Sequence, residues 1–207
     1  MIAPLRIGFL CSHGGSIMQA VLRACGNGNL AGVGVIAISN NSQCVGLESA
    51  RAANIPTVHL SSVTHPIPEQ LDAAISQTLL SHQAQLIILS GYMRLLGSQV
   101  LGAYRERVLN VHPSLLPHFG GHGMYGDRVH QAVLATNQSK TGVTVHIVDP
   151  IYDHGRILAQ REIPVIPGDT VESLRGRVQA AEGPTLIEVL KSSGDWPDVS
   201  AESLGEE

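Results

Sequence analysis

The sequence predicts an α/β fold, with an open and mostly parallel sheet that carries helices on both faces. Two observations predict it. From Leu5 to Leu89, continuous apolar runs alternate with segments of helical periodicity, and such runs are typical of strands buried on both faces. Beyond this region the rhythm changes, and two strand-like segments follow one another at residues 141–148 and 157–166. They predict an antiparallel strand addition in the C-terminal part of the sheet.

The N-terminal half supplies the first strands of this sheet. Apolar runs predict the strands, and the spacing of apolar residues predicts the helices between them. Ser16 is in position to cap the first helix. The predicted strands are 5–11, 32–39, 57–60 and 86–89, and the predicted helices are 17–24, the later part of 40–54, and 66–83. This order of elements is that of a mononucleotide-binding unit, so the sheet is expected to be Rossmann-like.

The C-terminal half completes the sheet and closes it with a long helix. Asp169 or Thr170 can cap that helix, and Pro184 is expected to disturb it. The predicted elements are a strand at 108–111, a glycine-rich loop at 118–127, a helix at 129–136, the two strands given above, and a helix at 170–191. We interpret residues 1–192 as a single domain and expect the acidic segment 193–207 to fray.

The charge balance disfavours nucleic acid as a partner. The chain has 17 acidic and 13 basic residues, and five of the acids lie in 193–207, which leaves 12 acids against 13 bases elsewhere. A near-neutral body favours small-molecule substrates. No apolar run is long enough for a membrane span or a signal peptide, so we expect a cytoplasmic protein that does not act on membranes. A monomer or a homodimer is expected, and the sequence does not distinguish the two. Cys11, Cys25 and Cys44 lack metal-binding spacing and are expected to be buried thiols.

Three polar residues of the C-terminal half suggest acyl-transfer chemistry. Asn110 and His112 are two apart in a predicted strand, so their side chains point to one face. An amide and an imidazole together offer hydrogen-bond donors to a developing oxyanion. Asp153, from a later loop, could orient the imidazole and accept a proton. The alternative is that all three only satisfy backbone groups in turns.

The surrounding motifs resemble those of the folate-dependent formyltransferases. The block Asn-Val-His-Pro-Ser-Leu-Leu-Pro, which starts at Asn110, carries the resemblance. A second block reads Val-His-Ile-Val-Asp, followed by Asp153-x-Gly-x-Ile-Leu-x-Gln. The chain is most similar to the branch that formylates the amine of glycinamide ribonucleotide in de novo purine biosynthesis. The resemblance extends over about residues 5–182. It implies 10-formyltetrahydrofolate as co-substrate, no metal, and Asn110, His112 and Asp153 as catalytic residues.

The loop after the first strand is the predicted phosphate site. Backbone N–H groups of Gly14, Gly15 and Ser16 at a helix start can surround an anion, although any tight turn between strand and helix uses glycines. The loop lacks the dinucleotide and P-loop fingerprints. The resemblance implies that it binds the phosphate of the ribonucleotide. Ile17 replaces the family's usual Asn, so one side-chain contact is missing, while Gln19 matches.

The resemblance also implies the remaining ligand contacts. It assigns the acceptor substrate to Gly91, Pro113 and Glu182, and it assigns the folate to Met93, Arg94, Leu96 and Val148. For Met93 and Leu96, ordinary core packing is the alternative. His146 also matches the family, and a structural role for it is as well supported as a functional one.

The glycine-rich loop and the choice of acceptor remain open. His118, His122 and His130 fit no standard zinc spacing, so a lid or a substrate-facing loop is favoured over a metal site. An amino-sugar nucleotide is the alternative acceptor. A non-catalytic nucleotide-binding module is the alternative from another class of protein, and it has no need for the three polar residues.

Overall fold

The computed structural model describes residues 3–192, and within this range the chain forms one mixed sheet with helices. The strands are β1 (Leu5–Cys11), β2 (Gly32–Ser39), β3 (Thr57–His59), β4 (Leu86–Ser90), β5 (Val108–His112), β6 (Lys140–Ile147) and β7 (Ile157–Pro164). The helices are α1 (Ser16–Gly26), α2 (Val45–Ala52), α3 (Pro68–Ser81), α4 (Ser98–Ala103), α5 (Asp127–Ala135) and α6 (Val171–Ser192). The strand order is β3-β2-β1-β4-β5-β6-β7, which confirms the predicted fold class. The acidic segment 193–207 lies outside the described residues.

The chain divides into two compact units, with the boundary after Leu109. In the N-terminal unit, β1 pairs in parallel with both β2 and β4, and β2 pairs in parallel with β3. Every residue of β4 is buried, as is the C-terminal part of β1, which is why these strands are apolar without alternation. Helix α1 buries one apolar stripe, formed by Ile17, Met18, Val21 and Ala24.

The C-terminal unit, Asn110–Ser192, contains the antiparallel pair that the sequence predicts. Strands β6 and β7 pair from Lys140 opposite Pro164 to His146 opposite Ile157. Its core combines one face of the pair with α5 and α6 and consists of Val133, Val143, Ile163, Leu174 and Val178. Gly142 has no room for a side chain, because a Cβ would lie 2.2 Å from the carbonyl oxygen of Arg161 across the pair.

Some local predictions were wrong. Ser16 does not cap α1: the helix begins at Ser16, and the cap position is Gly15 in a left-handed conformation with φ of 67°. Helix α6 is not interrupted at Pro184, and the next residue, Thr185, donates its hydroxyl to the Ala181 carbonyl at 2.7 Å. Cys25 is only half-buried.

Two helix starts depend on polar side chains. The Thr170 hydroxyl accepts the Ser173 N–H at 3.2 Å, and the Ser173 hydroxyl accepts the Thr170 N–H at 3.0 Å, so Thr170 caps α6 as one of the two predicted choices. Helix α4 was not predicted. The buried carboxylate of Asp72 on α3 accepts the N–H groups of Gly97 and Gln99 at its start, at 3.0 and 2.8 Å. Because this contact is tertiary, no local sequence pattern predicts the start of α4.

Candidate active site

The C-terminal unit brings four polar side chains together at the end of β5. Asn110 and His112 lie on β5, His146 lies on β6, and Asp153 lies in the loop before β7. Asn110 Nδ2 is 3.1 Å from His146 Nε2, and Asp153 carboxylate oxygens are 3.4 Å from His112 Nδ1 and 3.6 Å from His146 Nε2. The side chains of both histidines and of Asp153 are nearly excluded from solvent. One carboxylate therefore faces two imidazoles in a site of low polarity.

The loop that carries Asp153 is fixed by its backbone. Asp153 itself has φ of 55°, in the left-handed region that aspartate tolerates better than most residues. Gly155 allows the loop to approach β6, because a Cβ there would lie 1.9 Å from the carbonyl oxygen of Ile147. From the glycine-rich loop, the Gly121 N–H donates to Asp153 at 2.9 Å. The carboxylate is thus held by backbone geometry as well as by His112.

The charges in this cluster are set by burial and by hydrogen bonds. Burial alone would raise the pKa of Asp153, but the hydrogen bond and charge of His112 and the Gly121 N–H outweigh it, so the pKa lies below its ordinary value. Asp153 is consequently a carboxylate at neutral pH. Burial lowers the pKa of His146, although the Ile147 carbonyl and the Asp153 charge act in the opposite direction. His146 is therefore neutral at neutral pH.

The neutral state of His146 determines how Asn110 is oriented. His146 Nδ1 lies 2.9 Å from the Ile147 carbonyl, which can only accept, so Nδ1 carries the proton. Nε2 is then an acceptor and takes one N–H of the Asn110 amide. The second N–H of the same amide remains available to a ligand. The sequence left the role of His146 undecided, and its match to the family in a predicted strand was the signal that pointed to it.

His112 contacts the glycine-rich loop through its other nitrogen. Its Nε2 donates to the Phe119 carbonyl at 2.8 Å, while Nδ1 faces Asp153. Phe119 has φ of 56°. Gly120 packs without space for a side chain, since a Cβ would lie 2.4 Å from a Leu116 methyl group and 3.2 Å from Asp153 Cβ. The loop therefore reaches the cluster by close backbone approach, as its glycine content predicts.

The segment after His112 is anchored to the antiparallel pair. Thr144 on β6 donates its hydroxyl to the Ser114 carbonyl at 2.6 Å and accepts the Leu116 N–H at 3.0 Å. Gln160 on β7 donates to the Leu116 carbonyl at 2.8 Å. Ser114 donates its hydroxyl to the His118 carbonyl at 2.6 Å. These bonds fix the path of the chain after Pro113, and the sequence prediction assigned no role to the polar residues that make them.

Glu182 on α6 is a carboxyl whose pKa is strongly raised. Burial raises its pKa to about 7, and the charge of the nearby His112 acts in the opposite direction. His130 on α5 is buried, and within residues 3–192 its Nδ1 has no hydrogen-bond partner. His122 packs edge-on against Tyr152 with ring centroids 5.7 Å apart, and His118 is exposed. Val148 is half-buried directly after β6.

The N-terminal unit holds the predicted phosphate loop at the end of β1. Gly14 and Ser16 are exposed, and Gly15 is buried. A Cβ on Gly15 would lie 3.1 Å from both Gly46 Cα and Met18 Cε, so the turn needs glycine for space as well as for its positive φ. Gln19 donates to the Gly14 carbonyl at 2.9 Å and ties the loop to α1. Ile17 is buried and takes no part in the loop surface.

The predicted folate segment follows β4 in the same unit. Gly91 has φ of 69°, Met93 is exposed, and Leu96 is buried. Arg94 and Leu96 line a cavity of about 330 Å³. The rest of its wall is formed by Asn40, Ser61, Ser62, Pro68, Leu71, Asp72, Ile75, Tyr92, Leu95 and Gly97. Burial raises the pKa of Tyr92 to about 12 despite the Arg94 charge, so its hydroxyl is a neutral hydrogen-bonding group.

The described part of the chain lacks two kinds of feature. Between residues 3 and 192, no group of three or more His, Cys, Asp or Glu side chains is placed to hold a metal ion. Within the same range, no helix combines the length and the apolar content that a membrane crossing requires.

Comparison with known proteins gives the family. Residues 5–190 match the formyl transferase family. The chain belongs to that family. It is similar to a phosphoribosylglycinamide formyltransferase of Mycobacterium tuberculosis, with 36% identity over 186 residues, 89% of this chain and 83% of that protein. The chloroplastic phosphoribosylglycinamide formyltransferase of Vigna unguiculata is 35% identical over 187 residues, 90% of this chain. The chain spans 60% of the length of that plant protein and 64% of its relative in Arabidopsis thaliana.

A solved structure extends the similarity to the fold. Glycinamide ribonucleotide transformylase 1 from Symbiobacterium toebii superposes with a TM-score of 0.87 at 34% identity, over 100% of this chain and 92% of that one. The sequence resemblance to the folate-dependent formyltransferases and the predicted fold class are both confirmed. The roles of individual residues stay predictions.

Proposed function

We propose that the protein transfers the formyl group of 10-formyltetrahydrofolate to the amine of glycinamide ribonucleotide, a step of de novo purine biosynthesis. The observation that carries the proposal is the cluster at the end of β5, in which Asn110 contacts His146 and Asp153 faces both His146 and His112. The choice of acceptor is supported by similar proteins that are named phosphoribosylglycinamide formyltransferase. The cytoplasmic location and the oligomeric state stay predictions.

In the proposed reaction, the acceptor amine attacks the formyl carbon and the formyl oxygen gains negative charge. Asn110 donates the amide N–H that His146 leaves free, and His112 donates Nε2–H after exchanging its bond to Phe119 for one to that oxygen. Asp153 holds the imidazole and accepts, directly or through water, the proton that the amine loses. The new C–N bond forms as the bond from the formyl carbon to N10 of the folate breaks. The proton taken from the amine is passed on, directly or through water, to N10, which leaves as a neutral N–H, so charge is conserved.

The remaining predicted residues would hold the two substrates. We propose that backbone N–H groups at Gly14, Gly15 and Ser16 bind the ribonucleotide phosphate. Gly91, Pro113 and Glu182 would contact the rest of the acceptor. Met93, Arg94, Leu96 and Val148 would contact the folate. Each assignment rests on a position that matches the family. Each residue lies in a loop that follows a strand, at the start of α1, or on α6.

The test is an acceptor assay on the purified protein. The protein is given 10-formyltetrahydrofolate with glycinamide ribonucleotide, with an amino-sugar nucleotide, or with no acceptor, and release of tetrahydrofolate is followed. We expect turnover with the ribonucleotide only. Turnover with the amino-sugar nucleotide alone would show that it is the acceptor instead. Absence of turnover with both acceptors would favour a non-catalytic binding module.

A pair of histidine variants tests the site. We expect His112→Ala to lower kcat by about a hundredfold or more, as the loss of an oxyanion donor does. His82→Ala is the matched control, because His82 lies directly after α3, outside the candidate site and the predicted ligand loops. It should retain full activity. A folded His112→Ala protein with unchanged kcat would contradict the proposed mechanism.

A further inference from the structure

Ser12 joins three strand ends of the N-terminal unit. It follows the last residue of β1 and is 4% exposed. Its N–H donates to the Gly91 carbonyl after β4 at 3.2 Å, and its carbonyl accepts the Asn41 side-chain amide after β2 at 3.3 Å. Its hydroxyl makes two more bonds, donating to the Asn40 side-chain oxygen at 2.6 Å and accepting the Met93 N–H at 2.9 Å. Four bonds from one small residue thus fix these loops.

The two bonds of the hydroxyl depend on each other. A serine hydroxyl has one hydrogen to give and lone pairs to receive. Since Asn40 Oδ1 can only accept, the Ser12 hydrogen points to Asn40, and the lone pairs are left to receive the Met93 N–H. The Asn40 amide nitrogen is correspondingly directed away from Ser12, on a residue that lines the cavity with Arg94. An alanine at this position would lose both bonds, and the Met93 N–H would lose its acceptor.

Ser90 makes the reciprocal connection. It is the last residue of β4 and is buried, and its hydroxyl accepts the N–H of Met18 in the first turn of α1 at 2.9 Å. The end of β1 therefore holds the loop after β4, and the end of β4 holds the helix that begins at the phosphate loop. Register supports this exchange, because Cys11 and Ser90 are direct partners in the sheet.

We propose that Ser12 is a positioning residue that couples the phosphate loop to the folate segment. The inference rests on the proposed assignment of these loops to the two substrates. Ser12 immediately precedes the loop of Gly14, Gly15 and Ser16, and its hydroxyl holds the backbone of Met93. When a ligand orders the phosphate loop, the Ser12 hydroxyl transmits that ordering to the folate segment, and the reverse also holds. Ser90 acts on the phosphate side alone, because within residues 3–192 its side chain bonds only α1.

The first test measures the hydrogen bond itself. Hydrogen exchange at the Met93 amide is followed by NMR in the wild type, in Ser12→Ala and in Ser12→Thr, which keeps a hydroxyl. We expect exchange to be about fivefold faster in Ser12→Ala, which corresponds to loss of one ordinary hydrogen bond, and restored in Ser12→Thr. Added inorganic phosphate should slow exchange at Met93 in the wild type but not in Ser12→Ala. Unchanged exchange in Ser12→Ala, or an equal response to phosphate, would overturn the coupling.

The second test separates binding from chemistry. Ser12→Ala should raise KM for both glycinamide ribonucleotide and 10-formyltetrahydrofolate about fivefold, the cost of one ordinary hydrogen bond, and change kcat by less than about twofold. Ser90→Ala should raise KM for the ribonucleotide only. Ser76→Ala, at a buried serine of α3, is the matched control and should change neither. A KM increase for one substrate alone in Ser12→Ala would refute the coupling. If the wild type forms no product, the proposed function is wrong. The hydrogen-exchange measurement with phosphate still tests whether Ser12 couples the two loops.

Discussion

Replacement of Glu182 by Gln should change how the stability of the protein depends on pH. Glu182 is a carboxyl on α6 whose pKa is raised from 4.5 to about 7 by burial, although the charge of His112 partly opposes this rise. The folded protein therefore holds this proton in a range where the unfolded chain has released it. Gln has nearly the same shape and no titrating group, so the variant removes only the proton equilibrium.

The sign and size follow from the two pKa values. Below about pH 4.5 the carboxyl is protonated in both states and imposes no penalty. Between that pH and about 7 the folded state binds the extra proton, so the free energy of unfolding falls as pH rises. Above about pH 7 the penalty is complete and amounts to on the order of 3 kcal/mol, because a tenfold difference in proton affinity between the folded and unfolded states corresponds to about 1.4 kcal/mol.

Urea denaturation at a series of pH values measures this effect. The difference in free energy of unfolding between Glu182→Gln and the wild type should be near zero at about pH 4.5. It should grow in favour of the variant to on the order of 3 kcal/mol by about pH 8. Glu172→Gln is the control, because Glu172 lies on the same helix with its side chain 85% exposed. Parallel stability curves for Glu182→Gln and the wild type would refute the argument that burial perturbs this carboxyl.

Three further changes test the cluster and the phosphate loop. His146→Leu removes the acceptor that orients the Asn110 amide, so kcat should fall about tenfold while thermal unfolding stays cooperative; unchanged kcat would leave His146 a structural role only. Gly15→Val would place a Cβ 3.1 Å from Gly46 Cα and Met18 Cε at a positive φ, so the phosphate loop must shift and KM for the ribonucleotide should rise more than KM for the folate; the reverse pattern would reassign the loop. Asp153→Asn should lower kcat more than it changes KM, and its combination with His112→Ala should be little worse than the worse single variant; strictly additive losses in a double-mutant cycle on kcat would show that the two act independently.

The elements that follow from local chemistry agree closely with the sequence prediction. Strand β4 was predicted at 86–89 and occurs at Leu86–Ser90, and α3 was predicted at 66–83 and occurs at Pro68–Ser81. Their apolar runs and periodicity are properties of neighbouring residues, so the sequence shows them directly. The missed helix α4 is six residues long and begins where Asp72 accepts its first N–H groups from another helix. Elements stabilised in this way have no signal in their own sequence.

The same distinction between local and tertiary information applies to the candidate site. The sequence by itself predicted that Asn110 and His112 share a face, because they are two residues apart in a strand, and it predicted Asp153 as the carboxylate, which the family motif also implies. Only the tertiary structure placed His146 against Asn110 across 36 residues of chain, Ser12 against Met93 across 81, and Glu182 in surroundings that raise its pKa. Residue types and spacings specify which groups are present. Their protonation and orientation depend on desolvation and on hydrogen-bond partners, which exist only after distant segments of the chain have packed together.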